Sequence, residues 1–262
     1  MDSPIRYPAA LMPPDRVQPV PRRIRAFIGR RAVVDSVNAF YVWEWAGYPQ
    51  FYIPRSDVER RALVPEDGRR PGPFGWAHLH GLRCGSELRS GAAHVVRQAT
   101  DPRLEETVRF RWSAFDAWFE EDERVYVHPR NPYSRVDAVR STRSVVIKLG
   151  GAVVAETTSP VLVFETGLPT RYYLNRTDID FSRMVPTDTV TECPYKGRTG
   201  SYWSVRVGRV EHRDLAWSYD LPTAALAPIA GLVAFYNERT DIVLDGVQLP
   251  RPPAPKSRPP AF

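Results

Sequence analysis

The amino-acid sequence predicts an all-β protein of mainly antiparallel sheet, made of two tandem copies of one unit with at most one or two short helices. Three observations lead there. Gly29-Arg30-Arg31-Ala32-Val33-Val34-Asp35-Ser36, Phe40-Tyr41-Val42-Trp43-Glu44 and Phe51-Tyr52-Ile53-Pro54-Arg55-Ser56-Asp57-Val58 return 121 positions later. There they read Gly150-Gly151-Ala152-Val153-Val154-Ala155-Glu156-Thr157, Val161-Leu162-Val163-Phe164-Glu165 and Tyr172-Tyr173-Leu174-Asn175-Arg176-Thr177-Asp178-Ile179. Both copies are dense in β-branched and aromatic residues that alternate with polar ones between glycine turns. Helical periodicity is scarce. A period of 121 residues exceeds the roughly 20–50 residues of solenoid repeats, so each copy has the size of a domain with its own core.

Each element has its own signal. Residues 1–20 hold five prolines and read as an extended arm. The first unit, 21–131, opens with an alternating strand at 23–28 that turns at Gly29-Arg30 and returns over 32–36. Strands at 40–43 and 51–53 flank Gly47 and Pro49 and form a second hairpin. Residues 60–106, rich in Gly, Pro and charge, read as a loop insertion. The second unit, 132–249, repeats both hairpins at 145–149, 152–157, 161–164 and 171–174. It then adds strands at 201–207, 232–236 and 242–244, the last ending at Asp245-Gly246. Residues 223–230, bounded by Pro222 and interrupted by Pro228, are the best helix candidate and span at most two turns. The tail, 250–262, holds six prolines and is extended. Trp118-Phe119-x-Glu121 matches Phe235-Tyr236-x-Glu238, 117 positions on, which gives Glu121 and Glu238 one structural position.

Composition narrows the function classes. The net charge of +6 is spread evenly: residues 1–131 carry 20 basic and 17 acidic side chains, and residues 132–262 carry 16 and 13. No basic block interleaved with aromatics is present, which argues against nucleic-acid binding. The longest nearly apolar run, 225–236, contains Pro228 and Gly231 and falls short of the roughly 20 residues that span a membrane. Without the apolar core of a secretory signal in residues 1–20, the expected location is the cytoplasm. Two cysteines, Cys84 and Cys193, form no disulfide framework. Of 36 basic residues only Lys148, Lys196 and Lys256 are lysines, so each lysine needs a reason.

The chain resembles the domain-of-unknown-function family numbered 427. The carriers are Cys193-Pro194-Tyr195-Lys196-Gly197 with Ser201-Tyr202-Trp203-Ser204, Ala216-Trp217-Ser218-Tyr219 and Gly231-Leu232-Val233-Ala234-Phe235-Tyr236-Asn237-Glu238. Phe164-Glu165-Thr166-Gly167-Leu168-Pro169-Thr170-Arg171-Tyr172-Tyr173 belongs with them, as do Asp116-Ala117-Trp118-Phe119-Glu120-Glu121-Asp122-Glu123 and His128-Pro129-Arg130 in the first copy. The resemblance covers nearly the whole chain in a two-copy form. It implies a β-tent-like fold of small antiparallel sheets, a fold whose relatives include oxidoreductases, zinc modules, small-molecule binders and RNA binders. Fold alone therefore does not assign an activity. The zinc-holding relatives use two pairs of cysteines, which this chain lacks.

The densest chemistry lies at Cys193-Pro194-Tyr195-Lys196-Gly197. A lysine three residues from a thiol favours the thiolate electrostatically, and glycine lets backbone approach a ligand closely. Glu165 offers a carboxylate for proton transfer. Cys193, Lys196 and Glu165 are the catalytic candidates; Tyr173, Tyr195, Tyr202, Trp203 and Trp217 are the candidate ligand-binding walls. The bland alternative makes Cys193 a small buried residue in a structural turn. Cys84-Gly85-Ser86-Glu87 takes the related place in the first copy without the Tyr-Lys-Gly element, so that copy is expected to be degenerate.

His78, His80, Cys84 and His94 could be weighed as metal ligands, but they read better as surface residues of a loop, and no metal or cofactor is implied. Glu121 and Glu238 are expected to anchor loops through backbone N–H groups. Arg55-x-Asp57 and Arg176-x-Asp178 read as ion pairs or turn caps. No phosphate-cradling loop, nucleophile elbow or His-Glu-x-x-His helix is present. The favoured function is binding of a small polar or aromatic metabolite in the second copy, extending to its conversion; the alternative is a non-catalytic macromolecular interaction module. The sequence specifies no oligomeric state.

Overall fold

The computed structural model describes residues 12–13 and 16–253. Most of the proline-rich tail, and the arm apart from these few residues, lie outside the described part. Two compact units divide between Asn131 and Pro132.

The first unit has a seven-stranded antiparallel sheet. Its spatial order is Val17–Pro19, Phe40–Val42, Gln50–Pro54, Thr107–Phe110, Glu87–Arg97, Gly75–Cys84 and Leu63–Gly72. A four-stranded sheet adds Glu123–Val125, Ala117–Glu120, Ile24–Ile28 and Arg31–Ser36. The second unit repeats the plan. Its large sheet runs Val136–Arg140, Val161–Glu165, Arg171–Leu174, Val233–Phe235, Val210–Ser218, Ser201–Val207 and Met184–Thr187. Its small sheet runs Ala152–Thr157, Val145–Leu149, Asp241–Leu244 and Val247–Gln248. Among the described residues helix is confined to 3-10 segments, and Ala224–Ile229 is two such turns broken at Leu226. The chain is thus all-β and antiparallel, with two tandem units.

Alternation explains how each core forms. Along Ile24–Ile28 the side chains of Ile24, Ala26 and Ile28 are buried, as are Val145, Ile147 and Leu149 along the matching strand. The turns that follow need a left-handed residue, and Gly29 and Gly150 both sit at φ 56°. One cluster joins the two sheets of the first unit through Ile24, Val34, Tyr41, Ile53, Val95 and Trp118. A second joins those of the other unit through Val145, Ile147, Leu174, Val205, Phe235 and Ile242.

Three local expectations are corrected. Residues 60–106 are not a loop excursion: most of them form the strands Leu63–Gly72, Gly75–Cys84 and Glu87–Arg97. Leu63–Gly72 is an edge strand, where Pro65 and Pro71 leave no central ladder bond unmade, and Gly68 sits where the register shifts. Composition read these breakers as loop because it could not see that they lie on an edge.

Cys84-Gly85 does not match the Cys193 motif. It ends one strand of a hairpin at Gly85, φ 60°, as Val207-Gly208 does at φ 61° in the second unit. Nor do Glu121 and Glu238 share a position. Glu121, at φ 52°, accepts the Arg23 N–H at 2.8 Å, and Asp245, at φ 50°, accepts the Ser144 N–H at 3.0 Å. Glu121 therefore anchors a loop as expected, its counterpart is Asp245, and Glu238 pairs with Arg171.

In the two Arg-x-Asp segments the arginine and aspartate do not pair with each other: Arg55 pairs with Glu106 and Arg176 with Asp220, while each aspartate braces the neighbouring strand. Asp57 accepts the Ser36 hydroxyl at 2.7 Å, and Asp178 accepts the Thr157 hydroxyl at 2.6 Å.

Candidate functional site

The site in the second unit grows from one face of the large sheet. Register places Tyr173 opposite Ala234, Ala234 opposite Trp217, and Trp217 opposite Tyr202, so these four share a cross-strand row. Glu165 reaches the same face because it is in phase with Val161 and Val163 on the strand Val161–Glu165, while Phe164 points out and is exposed.

Cys193 and Lys196 arrive from a small hairpin, Glu192–Cys193 with Gly197–Arg198, in which Cys193 pairs with Gly197. Gly197 has φ 98°, a left-handed conformation that disfavours any side chain there. The hairpin is pinned by Thr223, whose N–H donates to the Lys196 carbonyl at 3.1 Å and whose hydroxyl donates to the Tyr195 carbonyl at 2.7 Å. Leu226 and Ile229 of the adjoining 3-10 segment are fully buried and hold that anchor in place.

The result is a cavity of about 150 Å³ that brings Glu165, Cys193 and Lys196 together, with Val163, Tyr202, Trp217, Tyr219 and Tyr236 among its walls. Lys196 Nζ is ion-paired with Glu165 Oε2, and Cys193 Sγ lies 4.0 Å from the same Nζ. Both charged side chains are 10 % exposed. Burial opposes the charged ammonium, but Cys193, Glu165 and Tyr173 outweigh it and hold the Lys196 pKa above the usual lysine range. Lys196 is therefore a permanent cation here, a hydrogen-bond donor rather than an amine nucleophile.

Burial pushes Tyr173 up to about 12 and raises Tyr202 and Tyr219 further. All three stay neutral phenols. Tyr202 and Tyr236 share a hydroxyl hydrogen bond of 2.6 Å.

Not every expected wall faces the cavity. Trp203 follows Tyr202 and so points to the opposite face, into the core with Val205 and Leu215, its ring edge-on to Phe181 at 5.9 Å. Tyr195 is half-buried in the hairpin turn and does not line the cavity. Tyr173 is fully buried behind Trp217, whose indole N–H donates to its hydroxyl at 3.3 Å. Tyr202 and Trp217 do line the cavity.

Sequence reading missed Arg171, Tyr219 and Tyr236, which also line it. Period-two phasing with Trp217 and with Tyr173 was the signal for Tyr219 and Arg171. Arg171 grips Glu238 with two hydrogen bonds of 2.7 and 2.6 Å and lies 5.8 Å from the Trp217 ring and 5.7 Å from the Tyr236 ring.

Burial raises the Glu238 pKa, but the Arg171 hydrogen bonds and charge outweigh it, and the folded value falls below the ordinary 4.5. The stability that Glu238 contributes is then complete above that unfolded value and is lost as pH falls through the folded one. The expected result is an acid limb in the urea midpoint below about pH 5 that is flatter in Glu238→Gln. An acid limb unchanged in that variant would show that Glu238 does not drive it.

The histidines of the first unit do not converge. His94 stands opposite Leu79 in the register and so on the other sheet face from His78 and His80. Among the described residues, no group of three or more His, Cys, Asp or Glu side chains is placed to hold a metal ion. No helix of the described residues is long and apolar enough to cross a membrane.

A family model described as a domain of unknown function, DUF427, matches residues 16–121 and again residues 137–246. No curated protein matches the chain.

Proposed function

The chain belongs to the DUF427 domain family in a two-copy form, and from that premise we propose that its second unit binds a small polar or aromatic metabolite and acts on it through Cys193. One observation carries the reading: a thiol, a permanently charged ammonium and a carboxylate meet in an aromatic-walled cavity. Glu165, on its sheet strand, and Lys196, 31 residues on, meet there because the hairpin that carries Lys196 is held by its threonine clamp. Aromatic faces supply contact area, while Lys196 and Arg171 orient a polar or anionic group.

The conversion that fits is addition of the Cys193 sulfur to an electrophilic carbonyl carbon. The S–C bond forms as the carbonyl π pair moves to oxygen, Lys196 donates a hydrogen bond to that oxygen, and Glu165 takes the thiol proton. Such a thiol is kept reduced in the cytoplasm, which is the location this reading implies.

The reading is tested by a thermal-shift screen against a metabolite library, in which a ligand at 100 times its Kd adds roughly 2.7 kcal/mol of stability. Cys193→Ser and Lys196→Ala should abolish the shift of any hit. In a Cys84→Ser background, iodoacetamide should label Cys193 at pH 7.5 more slowly once Lys196 is replaced by Met, because the cation 4.0 Å from the sulfur is gone. A labelling rate indifferent to Lys196, together with hits that ignore both variants, returns the site to a structural role and favours the interaction-module alternative.

A further inference from the structure

The first unit holds a second cavity, of about 190 Å³, and we propose that it binds a small aromatic monocarboxylate. The inference does not depend on Cys193 or Lys196. It begins with the sheet register, where Tyr52 stands opposite Arg109, Arg109 opposite His94, and His94 opposite Leu79. This is the same cross-strand row as Tyr173, Ala234, Trp217 and Tyr202 in the second unit. The tyrosine is kept, and so is the carboxylate, since Glu44 precedes Glu165 by the repeat period of 121 residues.

What changes is the source of the cation. The second unit brings Lys196 in on a separate hairpin. The first unit instead replaces Ala234 with Arg109, at the centre of the sheet, and Arg109 Nε reaches Glu44 Oε1 at 3.0 Å. The Tyr52 hydroxyl donates to the same carboxylate oxygen at 3.0 Å. Arg109 and Tyr52 are buried, with 6 % and 4 % exposure. A buried, cross-braced polar cluster facing a hollow is a built site rather than a packing defect.

The exchange of Trp217 for His94 supplies the recognition element. His94 lines the cavity, and its Nδ1 is buried with no hydrogen-bond partner among the described residues. Buried polar atoms are nearly always satisfied, so this nitrogen is poised for a ligand atom. Burial first, then the charges of Arg70 and Arg109, push the His94 pKa down to about 4, so the ring is neutral near pH 7 and presents one N–H.

The charges of Arg70 and Arg109 both act on the His94 ring, and a positive field at that point favours an anionic group. Phe74, packed in one apolar cluster with Val96 and Tyr52, supplies an aromatic wall for a ring. A carboxylate directed at His94, attached to a ring held by that wall, satisfies both.

Isothermal titration of the full chain with sodium benzoate tests the proposal, with benzamide as the uncharged control and the His94 ring-proton shifts as the local readout. The expected result is saturable benzoate binding that moves the His94 resonances, with benzamide at least about tenfold weaker, a difference of about 1.4 kcal/mol. His94→Leu and Ala77→Phe, the latter filling the cavity, should each abolish benzoate binding while circular dichroism stays unchanged. The His94 shift in the unaltered chain decides the matter even where a variant fails to fold. No binding at millimolar benzoate, equal affinity for benzamide, unmoved His94 resonances, or binding that survives both variants would each overturn it.

Discussion

Replacing Glu165 by Leu should lower the stability of the second unit by about 3–5 kcal/mol, because it leaves Lys196 charged and buried with no carboxylate beside it. The pair is 10 % exposed on each side, so water does little to screen the orphaned ammonium. A loss of this size moves the thermal midpoint by on the order of 10 °C for a unit of this length. The double variant Glu165→Leu with Lys196→Met removes both charges and should recover most of the loss, since a buried ion pair and a well-packed apolar pair are often of similar stability.

The same substitution reports on the chemistry. With Glu165 gone, the group that takes the Cys193 proton is gone as well, and alkylation of Cys193, 4.0 Å from Nζ, should be slower in Glu165→Leu than in the parent. Urea unfolding followed by circular dichroism measures the first effect and timed labelling the second. A loss below about 1 kcal/mol, the range of exposed pairs, would show that the pair is solvated.

Trp118→Ala should cost the first unit a comparable amount, about 3–5 kcal/mol, through lost transfer energy and an unfilled cavity. Trp118 is 3 % exposed and stacks on Trp112 at 4.9 Å, with Phe115 edge-on at 4.8 Å and Phe51 at 6.0 Å. Its indole N–H donates to the Trp112 carbonyl at 3.1 Å, so truncation also strips a hydrogen bond. Trp118→Phe retains much of the contact area and should lose clearly less. The matching place in the second unit belongs to Ile242, since Trp118 pairs with Ala26 as Ile242 pairs with Ile147. Ile242→Ala should therefore fall nearer 2 kcal/mol, at the low end for aliphatic truncation. Urea midpoints rank the three variants, and an equal cost for Trp118→Ala and Ile242→Ala would show that the aromatic cluster adds nothing beyond ordinary aliphatic packing.

The legible part of this protein is the part written in short-range signals. Alternation along Ile24–Ile28 and Val145–Leu149, and the glycine turns behind them, depend on neighbours one or two residues away. So does the Cys193 hairpin, where a thiol and a lysine three residues apart were bound to be close. Glu165 was legible as a candidate because it puts a carboxylate at the end of its strand, and Glu44 stands one repeat period before it. That each of these carboxylates meets a buried cation was not.

The correspondence of the units failed wherever it was drawn by residue type alone, as with Glu121 and Glu238. Equivalence there is set by backbone position, and a glutamate in one unit is replaced by Asp245 in the other. Trp203 was assigned to the cavity with Tyr202, yet adjacent residues of a strand face opposite ways, and sequence does not say which of the two faces is hollow.

By itself, then, the sequence determined a duplicated antiparallel sheet protein, its turns, and the chemical groups at its disposal. Only the tertiary structure decided which side chains meet: Lys196 with Glu165 in one unit, Arg109 with Glu44 in the other. The physical reason is that strand phase and turn chemistry are local properties of the chain. A contact across a sheet also requires the register between strands, and register comes from long-range pairing that no short segment encodes.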